Sequence, residues 1–133
     1  MILREVCEEE GETENHELID DLLAYLEMHY ANDITLNELA EHKYFVSAGH
    51  LSRLFKAKTG MNFSKYLMGI RMQKAAEYLE NTEFEITDIA SFTGYNDASH
   101  FTQNFRKFFG MTPTEFRARK RGQKSHRELE KKL

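Results

Sequence analysis

The chain repeats itself without a gap at a spacing of 50 residues. Ala40, Ala48, His50, Phe55, Gly60 and Met61 recur as Ala90, Ala98, His100, Phe105, Gly110 and Met111. Between these identities lie chemically similar pairs: Leu36/Ile86, Phe45/Tyr95, Leu51/Phe101, Ser52/Thr102, Lys56/Arg106, Ser64/Thr114 and Tyr66/Phe116. A repeat of this kind sets the same buried positions twice, so the fold of one copy constrains the other. Two copies are too few for a solenoid and point to a duplicated pair of small units. The length, 133 residues, fits one domain or two very small ones.

Each copy reads as helix, short turn, helix. In the first, Thr35-Leu36-Asn37-Glu38 is a capping box, with Leu36, Leu39 and Ala40 as an apolar stripe at helical spacing. Ser47 then caps a second helix whose inner face is Ala48, Leu51, Leu54 and Phe55, closed by Gly60. In the second copy Ile86, Ile89 and Ala90 form the first helix, and Gly94 turns the chain. Asp97 caps the next helix, whose inner face is Ala98, Phe101, Phe105 and Phe109, up to Gly110. Glu85 replaces Thr35, so the second copy lacks the capping box there. Tyr44 occupies the place of Gly94, against the expectation that this turn needs φ > 0.

The remaining segments are helical too. Asn62 caps a predicted helix from about Phe63 to Glu80, and Asn81-Thr82 ends it. Leu18, Ile19, Leu22, Leu23, Leu26 and Tyr30 mark an amphipathic helix starting near Asn15 or His16. Thr112-Pro113-Thr114-Glu115 joins a capping box to a proline at the first helical position, opening a last helix through about Arg119. The expected fold is all-α with seven helices, as two helix-turn-helix subdomains, about 16–62 and 81–121, joined by a linker helix over about 63–80. Residues 1–15 read as a mobile acidic linker and 122–133 as a mobile basic tail.

Charge is segregated along this frame. Residues 1–33 hold eleven Asp/Glu against Arg4 alone, whereas residues 34–133 hold seventeen Lys/Arg against eleven Asp/Glu. The net −4 therefore hides a segment of −10 ahead of a body of +6, an asymmetry that raises the expectation of a polyanionic partner. The second helix of a helix-turn-helix fits the major groove of DNA. Its outward positions are Gly49, His50, Ser52, Arg53 and Lys56 in the first copy, and Ser99, His100, Thr102, Gln103 and Arg106 in the second. Short polar groups come first and cations a turn later. Neither 47–59 nor 98–109 contains an Asp or Glu. A helix of about 18 residues is roughly 27 Å long, which suits two recognition helices about 34 Å apart on one face of a duplex.

Other chemistry finds little support. Cys7 is the single cysteine, which excludes an internal disulfide and a Cys-based zinc cage. The histidines show no metal-ligand spacing, and no phosphate loop or nucleophile elbow is present. No enzyme, metal or cofactor is expected. No apolar run approaches the roughly 20 residues that span a bilayer. A reducing cytoplasm is the expected location.

The stretches Gly94-Tyr95-Asn96-Asp97-Ala98-Ser99-His100-Phe101, Phe105-Arg106-Lys107-Phe108-Phe109-Gly110-Met111-Thr112-Pro113 and Phe116-Arg117 closely resemble the signature of the AraC/XylS family of bacterial transcription regulators. Leu39-Ala40 through Ser47, then Leu51-Ser52-Arg53-Leu54-Phe55-Lys56 and Gly60, resemble that family's first helix-turn-helix. The resemblance, over about 16–119, implies recognition helices at about 47–58 and 97–109 in adjacent major grooves of double-stranded promoter DNA. It places base-edge contacts on Gly49, Ser52, Arg53, Ala98, Ser99, Thr102 and Gln103. Gly49 and Ala98 depart from the larger side chains some members carry there. Phosphate contacts are expected from His50, Lys56, Asn96, Arg106, Lys107, Arg117, Arg119, Lys120 and Arg121. The resemblance also implies an activator that meets RNA polymerase, and a sensory or receiver domain missing from this chain. The alternative is a protein-interaction module that docks a partner through the helix-turn-helix pair; the acid-free helices favour DNA.

Overall fold

A computed structural model describes the backbone of residues 2–132 and the side chains of residues 15–123. Among the described residues there are seven helices and no strand. Helix α1 covers Ile2–His29, and α2 opens as an α-helix at Leu36–Glu38 and continues as a π-helix over Leu39–Tyr44. The others are α3 (Ala48–Thr59), α4 (Phe63–Asn81), α5 (Ile86–Phe92), α6 (Ala98–Phe109) and α7 (Pro113–Lys132). Two of them outrun the sequence expectation: α1 begins upstream of Asn15, and α7 continues past Arg119. Apolar periodicity reports where a helix is packed, whereas good helix formers such as Glu, Lys, Arg and Gln extend it beyond the packed face. The expected mobility of 1–15 and 122–133 falls almost wholly outside the described side chains.

The chain divides into two compact units, Met1–Met68 and Gly69–Leu133. The division falls inside α4, so the predicted linker helix gives its first turns to one unit and the remainder to the other. In the first unit α1 packs against α3, and Ile19, Leu22, Leu26, Leu39, Leu51 and Phe55 are buried. The Phe55 ring meets the Phe63 and Tyr66 rings edge-on, with centroids 5.7 and 5.3 Å away. In the second unit Phe101 and Phe105 are fully buried with Met72, Leu79 and Ile89. Phe105 meets Phe116 of α7 edge-on at 5.4 Å and Phe109 at 4.6 Å.

The caps form as the residues dictate. Ser47 Oγ accepts from the His50 N–H at 3.1 Å, and Asp97 Oδ1 accepts from the Ser99 N–H at 2.8 Å. Asn62 Oδ1 accepts from the Lys65 N–H at 2.9 Å. The second capping box closes in both directions between Thr112 and Glu115. Both recognition helices end in a left-handed glycine, Gly60 at φ 80° and Gly110 at φ 78°, a backbone that an L side chain rarely takes.

The turns inside the two copies differ. In the second, Gly94 is left-handed at φ 93° and the Tyr95 N–H reaches the Ala90 carbonyl at 2.9 Å. In the first, Tyr44 stays helical and Phe45 takes the left-handed conformation at φ 53°, one residue later. The positive φ expected at Gly94 is present, and Tyr44, which departs from that expectation in the sequence, does not adopt it. Because Ser47 and Asp97 cap their helices at equivalent places, the delayed turn is absorbed by the wider π-helical stretch. Phe45 is 82% exposed although its counterpart Tyr95 is buried. Tyr44 donates its hydroxyl proton to Asp21 Oδ2 of α1 at 2.6 Å. Partial burial first, then this hydrogen bond and the carboxylate charge, hold the Tyr44 phenol above its ordinary value.

Phe55→Ala and Phe105→Ala are each expected to cost about 3–5 kcal/mol in urea denaturation, while Ser99→Ala stays within about 0.5 kcal/mol. Equal melting temperatures for all three would contradict the duplicated core. Tyr44 binds its proton more tightly in the folded state, so its contribution is complete below pH about 10 and is lost as pH rises beyond it. Tyr44→Phe is therefore expected to flatten the decline of stability above pH about 10 relative to the parent. Superimposable alkaline unfolding curves would exclude that role.

Candidate nucleic-acid interface

Recognition helices α3 and α6 are each held by one buried stripe. On α3, Leu51 and Phe55 face inward with no exposed surface, leaving Gly49, Ser52, Arg53 and Lys56 exposed and His50 half-buried. On α6, Phe101 and Phe105 face inward, and Ser99, Gln103, Arg106 and Lys107 are exposed, with Ala98 and Thr102 half-buried. Asn96 is exposed just ahead of the α6 cap. Within each unit the structure thus gathers that copy's predicted base-edge residues on one outward face. Both faces lack acidic residues. Among the described residues no ion pair engages Arg53, Lys56, Arg106 or Lys107.

The cations at the edges are used inside the protein. Arg117 donates from Nε to the Leu79 carbonyl at 3.1 Å and from Nη2 to the Thr82 carbonyl at 3.2 Å. It thereby ties α7 to the C-terminal carbonyls of α4, where a positive charge is favoured. Arg121 pairs with Glu83 at 2.6 Å, and the Lys120 ammonium lies 5.6 Å from the Phe116 ring centre. Arg119 is exposed. In the first unit Lys58 meets Asp20 at 3.8 Å and His16 Nδ1 at 3.3 Å, and Lys43 meets Asp21 at 3.9 Å. Part of the acidic N-terminal charge therefore serves to seat α1 on the first helix-turn-helix.

Sequence reasoning missed a polar brace in the second unit. Asn104 Nδ2 lies 3.3 Å from both the Tyr95 hydroxyl and His100 Nε2. The His100 ring stands edge-on to Tyr95 at 5.5 Å, and the Arg71 guanidinium lies 5.7 Å from the Tyr95 ring centre. The only sequence signal was the i, i+4 spacing of His100 and Asn104. The first copy has Leu54 where the second has Asn104, so the brace is not duplicated. No group of three or more His, Cys, Asp or Glu among the described residues could hold a metal ion. No helix among them is long and apolar enough to cross a membrane.

Two helix-turn-helix units, each with a buried aromatic stripe behind an acid-free recognition face, define a DNA-binding domain of a transcription regulator. The family described as "Helix-turn-helix domain" matches residues 41–119. The HTH-type transcriptional activator RhaS of Klebsiella pneumoniae (strain 342) is 34% identical over 117 residues, covering 88% of this chain and 42% of RhaS. Among solved structures, the C-terminal domain of AraT, a response regulator from Geobacillus stearothermophilus, is 37% identical with a TM-score of 0.72, covering 75% of this chain and 83% of that one. A transcriptional regulator of the AraC-type DNA-binding class from Chromobacterium violaceum is 28% identical with a TM-score of 0.69, covering 83% and 95%. This chain belongs to the AraC/XylS family and is its sequence-specific, non-catalytic DNA-binding domain. It spans less than half the length of the curated relatives it matches.

The division of labour among the cations is testable. Arg117→Ala is expected to lower stability by about 1–3 kcal/mol, the cost of charged hydrogen bonds to part-buried carbonyls, and to leave the salt dependence of DNA binding unchanged. Arg106→Ala is expected to reduce the slope of log affinity against log salt by about 1 and spare stability. The reverse pattern, in denaturation and in titrations at several salt concentrations, would show the two arginines to have each other's role.

Proposed function

We propose that α3 and α6 enter adjacent major grooves on one face of promoter DNA and read two unlike elements. The observation that carries this is the pair of outward faces, alike in shape and lack of acid but different in chemistry: Arg53 in one copy stands where Gln103 stands in the other. Arginine pairs bidentately with guanine and glutamine with adenine, so the site is two different half-elements and not a palindrome. Ser52, Ser99 and Thr102 add shorter contacts to base edges, with Gly49 and Ala98 contributing little. His50, Lys56, Asn96, Arg106, Lys107 and Arg119 fall to phosphates. Arg117, Lys120 and Arg121 serve the fold first. The nineteen residues of α4 amount to about 28 Å of helix, compatible with half-elements about 10 bp apart.

The chain is the reading portion of a longer bacterial regulator that works in the cytoplasm. We read the whole protein as an activator that meets RNA polymerase; its likeness to RhaS, named a transcriptional activator, supports the activator part of that reading. Its likeness to a domain of the response regulator AraT supports a receiver as the remaining part.

Selection from random duplexes is expected to return the two elements together. Arg53→Ala should then cost about 1–3 kcal/mol and relax one base pair, a G·C, and Gln103→Ala should do the same about 10 bp away. Affinities on duplexes substituted base by base decide this. Uniform weakening on every duplex would make either residue a phosphate contact, and relaxation at a shared base pair would end the two-groove reading.

A further inference from the structure

The two copies make the same turn in different registers, and they differ both at the turn, Tyr44 against Gly94, and in what an earlier helix offers it. At the 50-residue spacing, Asp21 on α1 stands where Arg71 stands on α4. Each reaches an aromatic residue of the turn in its own unit. Arg71 lies over Tyr95, 5.7 Å from the ring centre, and in that copy the left-handed residue is the fourth after Ala90. Asp21 takes the Tyr44 hydroxyl at 2.6 Å, and there the left-handed residue is the fifth after Ala40. The carbonyl closing the turn is equivalent in both: Ala90 accepts from the Tyr95 N–H and Ala40 from the Val46 N–H, each at 2.9 Å.

Phe45 bears two unfavourable conditions at once. Its backbone is in a region that L residues rarely occupy, and its ring is 82% exposed. The earlier register of the second copy would turn the ring inward as Tyr95 is turned, but would require Tyr44 to be left-handed instead. Backbone strain is similar for either aromatic residue, so it does not choose between registers. What the observed register gains is the hydrogen bond from Tyr44 to Asp21, together with Lys43 placed 4.7 Å from the Tyr25 ring centre and 3.9 Å from the same carboxylate. We propose that Asp21 and Tyr44 are positioning residues that hold the first turn in its late register and so set the path by which the chain enters recognition helix α3. Ser47, which caps α3, follows Phe45 by two residues, so the register sets the backbone that leads into the cap, although the two caps themselves fall at equivalent places. The DNA consequence rests on the reading given under Proposed function.

The chain contains no tryptophan, so Phe45→Trp in the full chain supplies a single fluorescent reporter at an exposed position. Alone, it is expected to show red-shifted emission and ready quenching by acrylamide. Adding Tyr44→Gly places glycine where the second copy has Gly94, and the emission should move to the blue with loss of quenching. Asp21→Ala or Tyr44→Phe should move it part of the way, and Asp21→Asn, which keeps an oxygen acceptor, should restore the parent signal. Circular dichroism identifies any variant that fails to fold; should Tyr44→Gly do so, Tyr44→Phe and Asp21→Ala decide the matter. A reporter as quenchable in the folded variants as in the parent overturns the proposal. Variants with a shielded reporter should also lose affinity several-fold, through the element read by α3 and not that read by α6. Shielding with unchanged affinity would overturn the positioning role. Failure of the Phe45→Trp parent to bind any selected duplex would count against the DNA reading, with the fluorescence still deciding the register.

Discussion

Everything outward in this protein depends on one interaction made twice: a fully buried phenylalanine on the inner face of a recognition helix, packed against the aromatic rings that follow it. Phe55 against Phe63 and Tyr66, and Phe105 against Phe109 and Phe116, each fix a twelve-residue helix from one side. A helix this short is marginal alone and takes its stability from the packed face. With that face secured by aromatic burial, the opposite face carries no structural duty. It can be wholly polar and cationic, as a surface for a polyanion requires.

The duplication preserves this core and lets the periphery diverge. The left-handed glycines, the caps of the recognition helices and the buried phenylalanines match across the copies. The turns do not: Gly94 bends the second copy at little cost, whereas in the first Tyr44 stays helical with its hydroxyl on Asp21. The first copy moves the strained residue to Phe45, widens its helix and exposes a ring that the second copy buries. The second copy adds a polar brace of Asn104, His100 and Tyr95. Two units of repeated sequence thus hold their reading helices by the same apolar stripe but surround them with different polar contacts.

Charge follows the same division between centre and edge. Arg53, Lys56, Arg106 and Lys107 make no ion pairs among the described residues, while the cations around them close the fold. Arg117 and Arg121 bind the start of α7 to the end of α4 and the loop beyond it, and Lys43 and Lys58 seat α1. A net charge or a count of basic residues would treat all of them alike. Partners within hydrogen-bonding or ion-pair distance separate those that can meet a phosphate from those already engaged.

The sequence by itself determined the all-helical class, the doubled helix-turn-helix, the caps at Ser47, Asp97, Asn62 and Thr112, and the buried and outward faces of both recognition helices. These features are local: a cap needs only its neighbours three residues on, and a helix face repeats every third or fourth residue. The Arg53/Gln103 contrast was legible for the same reason. Only the tertiary structure decided the register of the first turn, the Asn104 brace and the engagement of Arg117. Each of these depends on a contact between residues 9 to 38 positions apart, Asn104 with Tyr95, Tyr44 with Asp21 and Arg117 with Leu79, whose geometry no periodicity encodes. Asp21 and Tyr44 are separated by 23 residues, and until the two helices pack, nothing in either segment says that a carboxylate will select which of two adjacent aromatic residues bends the chain.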